Sequence, residues 1–284
     1  MTEEEKQRKL NTIYIISKGR PQCGTARTLE KEGYPGDWFI VCGNNDETLP
    51  EYQRNWGDRV LVFDWYDEIT RTDTLDNFGF DDMPSGAVPV RNATRAISEG
   101  RGELRHWQLD DDYNGFYAVN HDMRTKRRLG GEELREKLLE IASFGYATSM
   151  QNVGISLGTM ESVPAKAKTF ARRVFNAHNL PSEERLFTRW RGRMNDDLIN
   201  AIETWRNGGR EMQFRHVNLT MAPTQSEDGG LSDIYRDEGT VRKSAYPVLI
   251  APGATKLVSK FGRYHHKVNW DKLTPKTLSE QWSR

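Results

Sequence analysis

Residues 106–113, His-Trp-Gln-Leu-Asp-Asp-Asp-Tyr, deliver three consecutive carboxylates at the end of a half-apolar run. Three adjacent like charges repel, and burying them without a counter-charge is costly or forces protonation. A divalent cation of the Mg²⁺ or Mn²⁺ kind removes that conflict. Such ions favour carboxylate oxygens and commonly bind through one or two of them plus substrate phosphates. Alternation along an extended strand directs Asp110 and Asp112 one way and Asp111 the other. An ordinary solvated acidic turn would use the same residues, Asp being frequent in turns. Three further groups stand apart. Ser17-Lys18-Gly19-Arg20-Pro21 is a basic glycine turn, able to meet a diphosphate or a base. Arg91 and Asn92 open a helix, where Arg91 can reach a diphosphate or the acidic loop and Asn92 can simply cap. Asp196-Asp197 open another helix, either as a cap favoured by the helix dipole or as chemical groups.

The elements that must position these groups alternate. The patterns predict strands over residues 12–17, 38–42, 60–63, 104–109, 172–177 and 212–219, with two short strands within 146–157. Helices are expected over 25–33, 51–56, 90–99, 131–144 and 196–207. Residues 67–89 read as a long polar loop, 181–193 as a charged connector, 224–230 as a polar loop and 243–260 as mixed around Pro247 and Pro252. Strand–helix alternation with near-continuous apolar strands argues for a parallel sheet covered on both faces. In such a sheet ligands bind beyond the carboxyl ends of the strands, which is where the first turn and the acidic triplet fall.

Composition narrows the class. In 284 residues, 29% are charged and 36% hydrophobic, which suits a globular chain with a real core. Lys plus Arg and Asp plus Glu number 41 each, so polyanion binding must come from local patches. Two cysteines give neither a disulfide framework nor a zinc knuckle. No signal peptide or membrane-length apolar run is visible, so the expectation is a cytoplasmic protein with no membrane partner.

The order of these motifs resembles a glycosyltransferase of the GT-A fold. More narrowly, IYIISKGRP, VPVRNATRAIS, HWQLDDDYNGF and RMNDDL resemble the phage-borne TET-associated glycosyltransferases, from residue 12 to about 270. The resemblance implies an open, Rossmann-like twisted sheet, mostly parallel, with helices on both faces. It implies a single domain with residues 10–115 as the nucleotide-sugar half and 116–275 as the acceptor half. Ser17, Lys18, Gly19, Arg20, Arg91, Asn92, Asp110 and Asp111 would bind the donor, of UDP-glucose or UDP-N-acetylglucosamine type. Asp110 and Asp112 would hold Mn²⁺ or Mg²⁺ through a DxD motif, and a C-terminal histidine would complete the site. Adjacent histidines on a strand cannot both face one ion, so His266 is preferred to His265. Asp196 and Asp197 would meet the acceptor, Asp197 as the chemical group and Asp196 as the cap. The implied acceptor is 5-hydroxymethylcytosine in DNA.

For that acceptor the sequence offers basic clusters at 124–128, 166–173 and 185–193. Arg124, Lys126, Arg127, Arg128, Trp190 and Arg191 stand in these clusters, and basic residues interleaved with aromatics suit a phosphate backbone and an extruded base. Solvated charged faces would look alike. Two other readings stay open: a sugar-phosphate nucleotidyltransferase, and a DNA-binding module whose acidic loop is structural.

Overall fold

The computed structural model describes residues 2–75, 86–119, 125–157, 173–221, 232–260 and 262–274. Arg124, residues 76–85 of the long loop, residues 166–172 of the second basic cluster and the loop 224–230 lie outside them. The chain begins with α1 (Glu3–Arg8), β1 (Thr12–Ile16), α2 (Gly24–Lys31), β2 (Trp38–Gly43), α3 (Leu49–Trp56) and β3 (Val60–Phe63). It continues with α4 (Trp65–Thr70), α5 (Ala87–Gly100), β4 (Arg105–Asp110), β5 (Tyr113–Val119), β6 (Lys126–Arg128) and α6 (Gly131–Ala147). Then come β7 (Asn152–Leu157), β8 (His178–Pro181), α7 (Asp196–Arg206) and β9 (Glu211–Met221). The last elements are α8 (Ser232–Ile250), β10 (Thr255–Lys260), β11 (Arg263–Val268) and α9 (Trp270–Leu273).

The apolar run TIYII shows how the layers form. Successive side chains on a strand face opposite ways. Ile13 and Ile15 join one core with Trp107 and Leu109 of β4, Leu29 of α2 and Leu138 of α6. Tyr14 and Ile16 join a second core with Val88, Val90 and Ala93 of α5. Both faces of the sheet are therefore covered, as the continuous apolar strands require.

The strand order is β3-β2-β1-β4-β8-β7-β9-β5-β6, with β10 and β11 forming a separate hairpin. β3, β2, β1 and β4 are parallel. β8 lies antiparallel between β4 and β7, β7 pairs β9 in parallel, and β5 pairs β9 and β6 antiparallel. The fold is the expected α/β class, with four adjacent parallel strands at one end of the sheet. One connection shapes the rest. Asp111 and Asp112 alone join β4 to β5, yet three strands separate these two in the sheet. Four strand spacings in a flat sheet amount to about 19 Å. Three Cα steps reach only about 11 Å. The sheet must curl over on itself, and the acidic turn sits at the fold.

Several elements differ from their sequence reading. α5 begins at Ala87, which puts Arg91 and Asn92 in its second turn. α6 runs on to Ala147 and leaves one strand, β7, where two were expected. The strand expected over 172–177 is instead His178-Asn179-Leu180-Pro181, a segment without β-branched or aromatic residues that pairs on both edges. α8 passes through Pro247 because it ends at Ile250, so one missing amide and one displaced carbonyl are met near its last turn.

Candidate active site

Strand alternation decides where the triplet's first carboxylate goes. In β4, Trp107 and Leu109 enter one core, so His106, Gln108 and Asp110 share the face covered by α5. Gln108 donates from Nε2 to the Arg91 carbonyl at 2.9 Å, tying β4 to α5 just beneath the site. The first turn of α2 clamps the acidic turn. Thr25 N–H donates to the Asp111 carbonyl at 3.0 Å, and Thr25 Oγ1 donates to the Asp110 carbonyl at 2.6 Å. The same hydroxyl accepts from Tyr113 N–H at 2.9 Å. A Cβ on Gly24 would stand 3.2 Å from the Asp111 oxygen, so a glycine permits this approach.

Asp111 turns toward the basic glycine turn. It accepts from Ser17 Oγ at 2.5 Å and from Arg20 Nη1 at 2.9 Å, and is buried. Arg20 N–H donates to Tyr52 Oη, and Gly19 N–H to Asp46 Oδ2, both at 2.9 Å. Gly19 has φ +70°, a left-handed conformation that glycine adopts freely. Lys18 lies over the Trp65 ring at 4.9 Å. Ser17, Gly19, Arg20 and Asp111 thus form one cluster, joined by Tyr52 and Asp46, which sequence reasoning did not select.

Asp110 turns the other way, to Arg91. The buried guanidinium reaches Asp110 Oδ1 at 3.1 Å, Asp196 Oδ2 at 3.1 Å and Asp197 Oδ1 at 3.8 Å. Its Cζ sits 4.7 Å from the centre of the Trp190 ring, and its Nη1 is buried without a hydrogen-bond partner among the described residues. One cation thus gathers three carboxylates. Desolvation pushes Asp110 up to about 8, Arg91 opposing and the other aspartates reinforcing. Water still reaches 27% of its side chain, which tempers the rise. Asp196 is likewise pushed up, by desolvation and then by the charge of Asp197. Asp197 moves the opposite way. Desolvation would raise it, but a hydrogen bond from His178 and the charges of Arg91 and Arg173 hold it below the usual carboxylate range.

The cap reading of Asp196 is corrected here. The N-cap of α7 is Asn195, in a left-handed conformation with no side-chain capping bond, and Asp196 lies on Arg91 instead. Asn92 contacts neither carboxylate. Its amide donates to the Trp190 carbonyl at 3.1 Å and accepts from Trp190 N–H at 2.9 Å, pinning that segment to α5. Trp190 is 1% exposed and so offers no open ring to a base. Arg191 is held by Asp73 and Glu203. On the edge strand β6, Lys126, Arg127 and Arg128 are exposed. Arg127 pairs with Glu133 and Arg128 with Glu32, while Lys126 lies 5.1 Å from the Tyr117 ring centre.

His266, on β11, approaches Asn195 Nδ2 through its Nδ1 at 3.3 Å, which places the hairpin beside the start of α7. Desolvation, then the charges of Arg173 and Lys243, push its imidazole down to about 4. No group of three or more His, Cys, Asp or Glu side chains among the described residues is arranged to hold a metal ion. Asp110 and Asp112 offer the one or two carboxylates that Mg²⁺ or Mn²⁺ takes when a substrate diphosphate supplies the other oxygens. Among the described residues His266 is not gathered with the two aspartates.

The sequence profile of the TET-associated glycosyltransferases matches residues 11–230. The chain belongs to that family. The TET-associated glycosyltransferase match spans every group around the acidic turn but stops short of the hairpin that carries His266, and of the end near residue 270 that the motifs suggested. It decides for a nucleotide-sugar glycosyltransferase over the nucleotidyltransferase and DNA-binding readings. No curated protein matches by sequence. Among solved structures, a mycobacterial protein is similar at 9% identity and TM-score 0.50, over 94% of this chain and 87% of its own. A mannosyltransferase of Pyrobaculum calidifontis, solved with GDP-mannose and Mn²⁺, is 12% identical at TM-score 0.49, over 85% of this chain and 73% of its own. GalNAc-T7, solved with UDP, GalNAc and Mn²⁺, is 12% identical at TM-score 0.43, over 83% and 50%. Of these, the likeness at TM-score 0.50 bears on the fold alone. Among the described residues no helix is long and apolar enough to cross a membrane.

Proposed function

We propose that this glycosyltransferase moves a sugar from a UDP-glucose or UDP-N-acetylglucosamine type of donor to the hydroxyl of 5-hydroxymethylcytosine in DNA. Family membership supports the acceptor. The observation that carries the chemistry is Arg91, whose guanidinium gathers Asp110 from the acidic turn and the pair Asp196-Asp197. A donor-side and an acceptor-side carboxylate thereby face one another across a single cation. Ser17, Gly19, Arg20 and Asp111 line the nucleotide end. Asp110 and Asp112 would hold Mn²⁺ or Mg²⁺, which when bound supplies Lewis-acid neutralisation of the departing diphosphate. His266 suits a phosphate oxygen better than a dication, since Arg173 and Lys243 are its charged neighbours.

Asp197 accepts the hydrogen bond of the acceptor hydroxyl and takes its proton as the new bond forms. The acceptor oxygen bonds to the anomeric carbon. The bond from that carbon to the diphosphate oxygen breaks, its electron pair leaving with the nucleoside diphosphate. Lys126, Arg127 and Arg128 offer phosphates a track, provided Glu133 and Glu32 are displaced. The test is mass spectrometry of 5-hydroxymethylcytosine DNA incubated with the protein, Mn²⁺ and each of a panel of nucleotide-sugars. One hexose or N-acetylhexosamine is expected per modified base, none on unmodified cytosine, and none in EDTA. Sugar transfer to a small alcohol or a protein, with hydroxymethylated DNA untouched, overturns the acceptor assignment.

A further inference from the structure

Behind Asp197 lies a buried chain of polar groups that the motifs did not reveal. His178 of β8 is 0% exposed, and its Nε2 stands 3.1 Å from Asp197 Oδ1. Across the ring, Asn152 Nδ2 stands 3.0 Å from His178 Nδ1. An amide nitrogen only donates, so Nδ1 accepts and the ring proton belongs on Nε2, directed at the carboxylate. The same amide nitrogen lies 3.3 Å from Glu211 Oε1, and on the other side of the ring the ionised Asp197 carboxylate can only accept, which sets the proton on Nε2. The ring has little freedom to turn. Its backbone is paired to Gln108 of β4 and Gly154 of β7, and its face meets Trp190 edge-on at 5.0 Å. This is the support that a precisely aimed carboxylate needs, side chains on strands locked by packing.

We propose that His178 is a positioning residue for the acceptor step, its Nε2–H fixing Asp197 Oδ1 so that Oδ2 meets the acceptor hydroxyl. This rests on the reading of Asp197 as the acceptor-side carboxylate. Oδ1 is shared by His178 and Arg91, and Oδ2 has no hydrogen bond to a described residue. Burial keeps the imidazole neutral, its proton affinity held down against the pull of Asp197. The other charged groups around Asp197 are Asp196 on its own helix, Arg91, Arg173, Lys243 and Glu211.

Two measurements test this, and the first needs no substrate. Long-range ¹H–¹⁵N spectra of the full chain from pH 6 to 8 should show His178 neutral and protonated on Nε2 throughout. An Nδ1-protonated ring or an imidazolium in that range overturns the proposal. The second compares His178→Leu with His178→Gln, whose amide can still donate toward Asp197, using UDP-glucose and hydroxymethylated DNA. His178→Leu should lower kcat by about 10²-fold, the cost of an ångström's misplacement, with the KM for UDP-glucose unchanged. Its acid limb should move to higher pH, because a carboxylate that loses a donor binds its proton more tightly. His178→Gln should recover most of both. A folded His178→Leu with wild-type kcat and pH profile overturns the proposal. If neither UDP-glucose nor any other donor modifies hydroxymethylated DNA, the acceptor reading has failed, and the spectrum alone decides the tautomer.

Discussion

Asp110 and Asp111 are neighbours in the chain and opposites in their surroundings. Asp111 pairs with Arg20 and accepts from the Ser17 hydroxyl, which Tyr52 shares, and its cation keeps 26% of its side chain in water. Asp110 shares a cation that is 3% exposed with two further carboxylates. The first arrangement is locally balanced and suits binding. The second leaves an excess of negative charge around one buried guanidinium, which is tolerable where a substrate-borne cation or a reacting hydroxyl completes it. On the proposed function, a single step along the backbone separates the donor-holding side from the reacting one.

The sharpest way to separate the two sides is Asp197→Asn, which removes the proton acceptor while keeping the shape. Transfer at saturating donor should fall by about 10²–10⁴-fold, as for loss of a general base. The melting temperature should fall as well, because a carboxylate held below its usual range in the folded protein contributes stability when ionised. Asp196→Asn, which keeps a hydrogen-bonding partner for Arg91, should stay within about tenfold of wild type. Equal losses in the two variants would dissolve the distinction between them.

Arg91→Leu comes next. Removing one partner from a buried ion network costs about 3–5 kcal/mol. Urea denaturation should show the larger loss at pH 8 and a smaller one at pH 5. The sign follows from the carboxyls: without Arg91 their folded-state affinity for protons rises above the unfolded value, so stability falls as pH climbs through that range. A variant as stable as wild type at pH 8 would mean that the three aspartates do not depend on this cation.

Arg20→Leu should be the mildest. A partly exposed pair contributes about 0.2–1 kcal/mol, and Asp111 keeps its bond from Ser17. The expected change is a several-fold rise in the KM for donor with kcat retained. A collapse of kcat would move the chemistry to the wrong side of the turn.

These contrasts were partly legible in the chain. TIYII and WFIVC announce their strands because burial on both faces demands unbroken apolar runs, while VLVF does so at the sheet edge, where Val62 is exposed. The order of the basic turn, the acidic triplet and the Asp-Asp helix start was enough to bring Arg91, Asp110, Asp196 and Asp197 into one reading. β8 was not legible. His178-Asn179-Leu180-Pro181 owes its extended form to ladders on both edges, partners about seventy residues back and about twenty-five back, which no local window contains. His178 was missed for the same reason, as were Asn152 and Glu211: a lone polar residue in a short strand carries no pattern. Trp190 was misjudged because an aromatic among arginines reads the same whether it faces solvent or supports a cation. Here it lies beneath Arg91 and is held by Asn92, so the segment that looked like an acceptor platform is part of the site's foundation.

The placement of β8 also has a consequence for how the chain is made. β4 pairs with β1 as soon as both exist, but its other edge is completed only by a strand that begins at residue 178. At about 5–20 residues per second, the intervening stretch takes roughly 3–13 s to synthesise. Throughout that interval the nascent chain can present a hydrogen-bond-hungry strand edge, the template on which chains aggregate. Production of this protein is therefore expected to depend on what shields β4 during translation, and shortened forms ending before residue 178 should be recovered as inclusions, whatever sugar the full-length protein transfers.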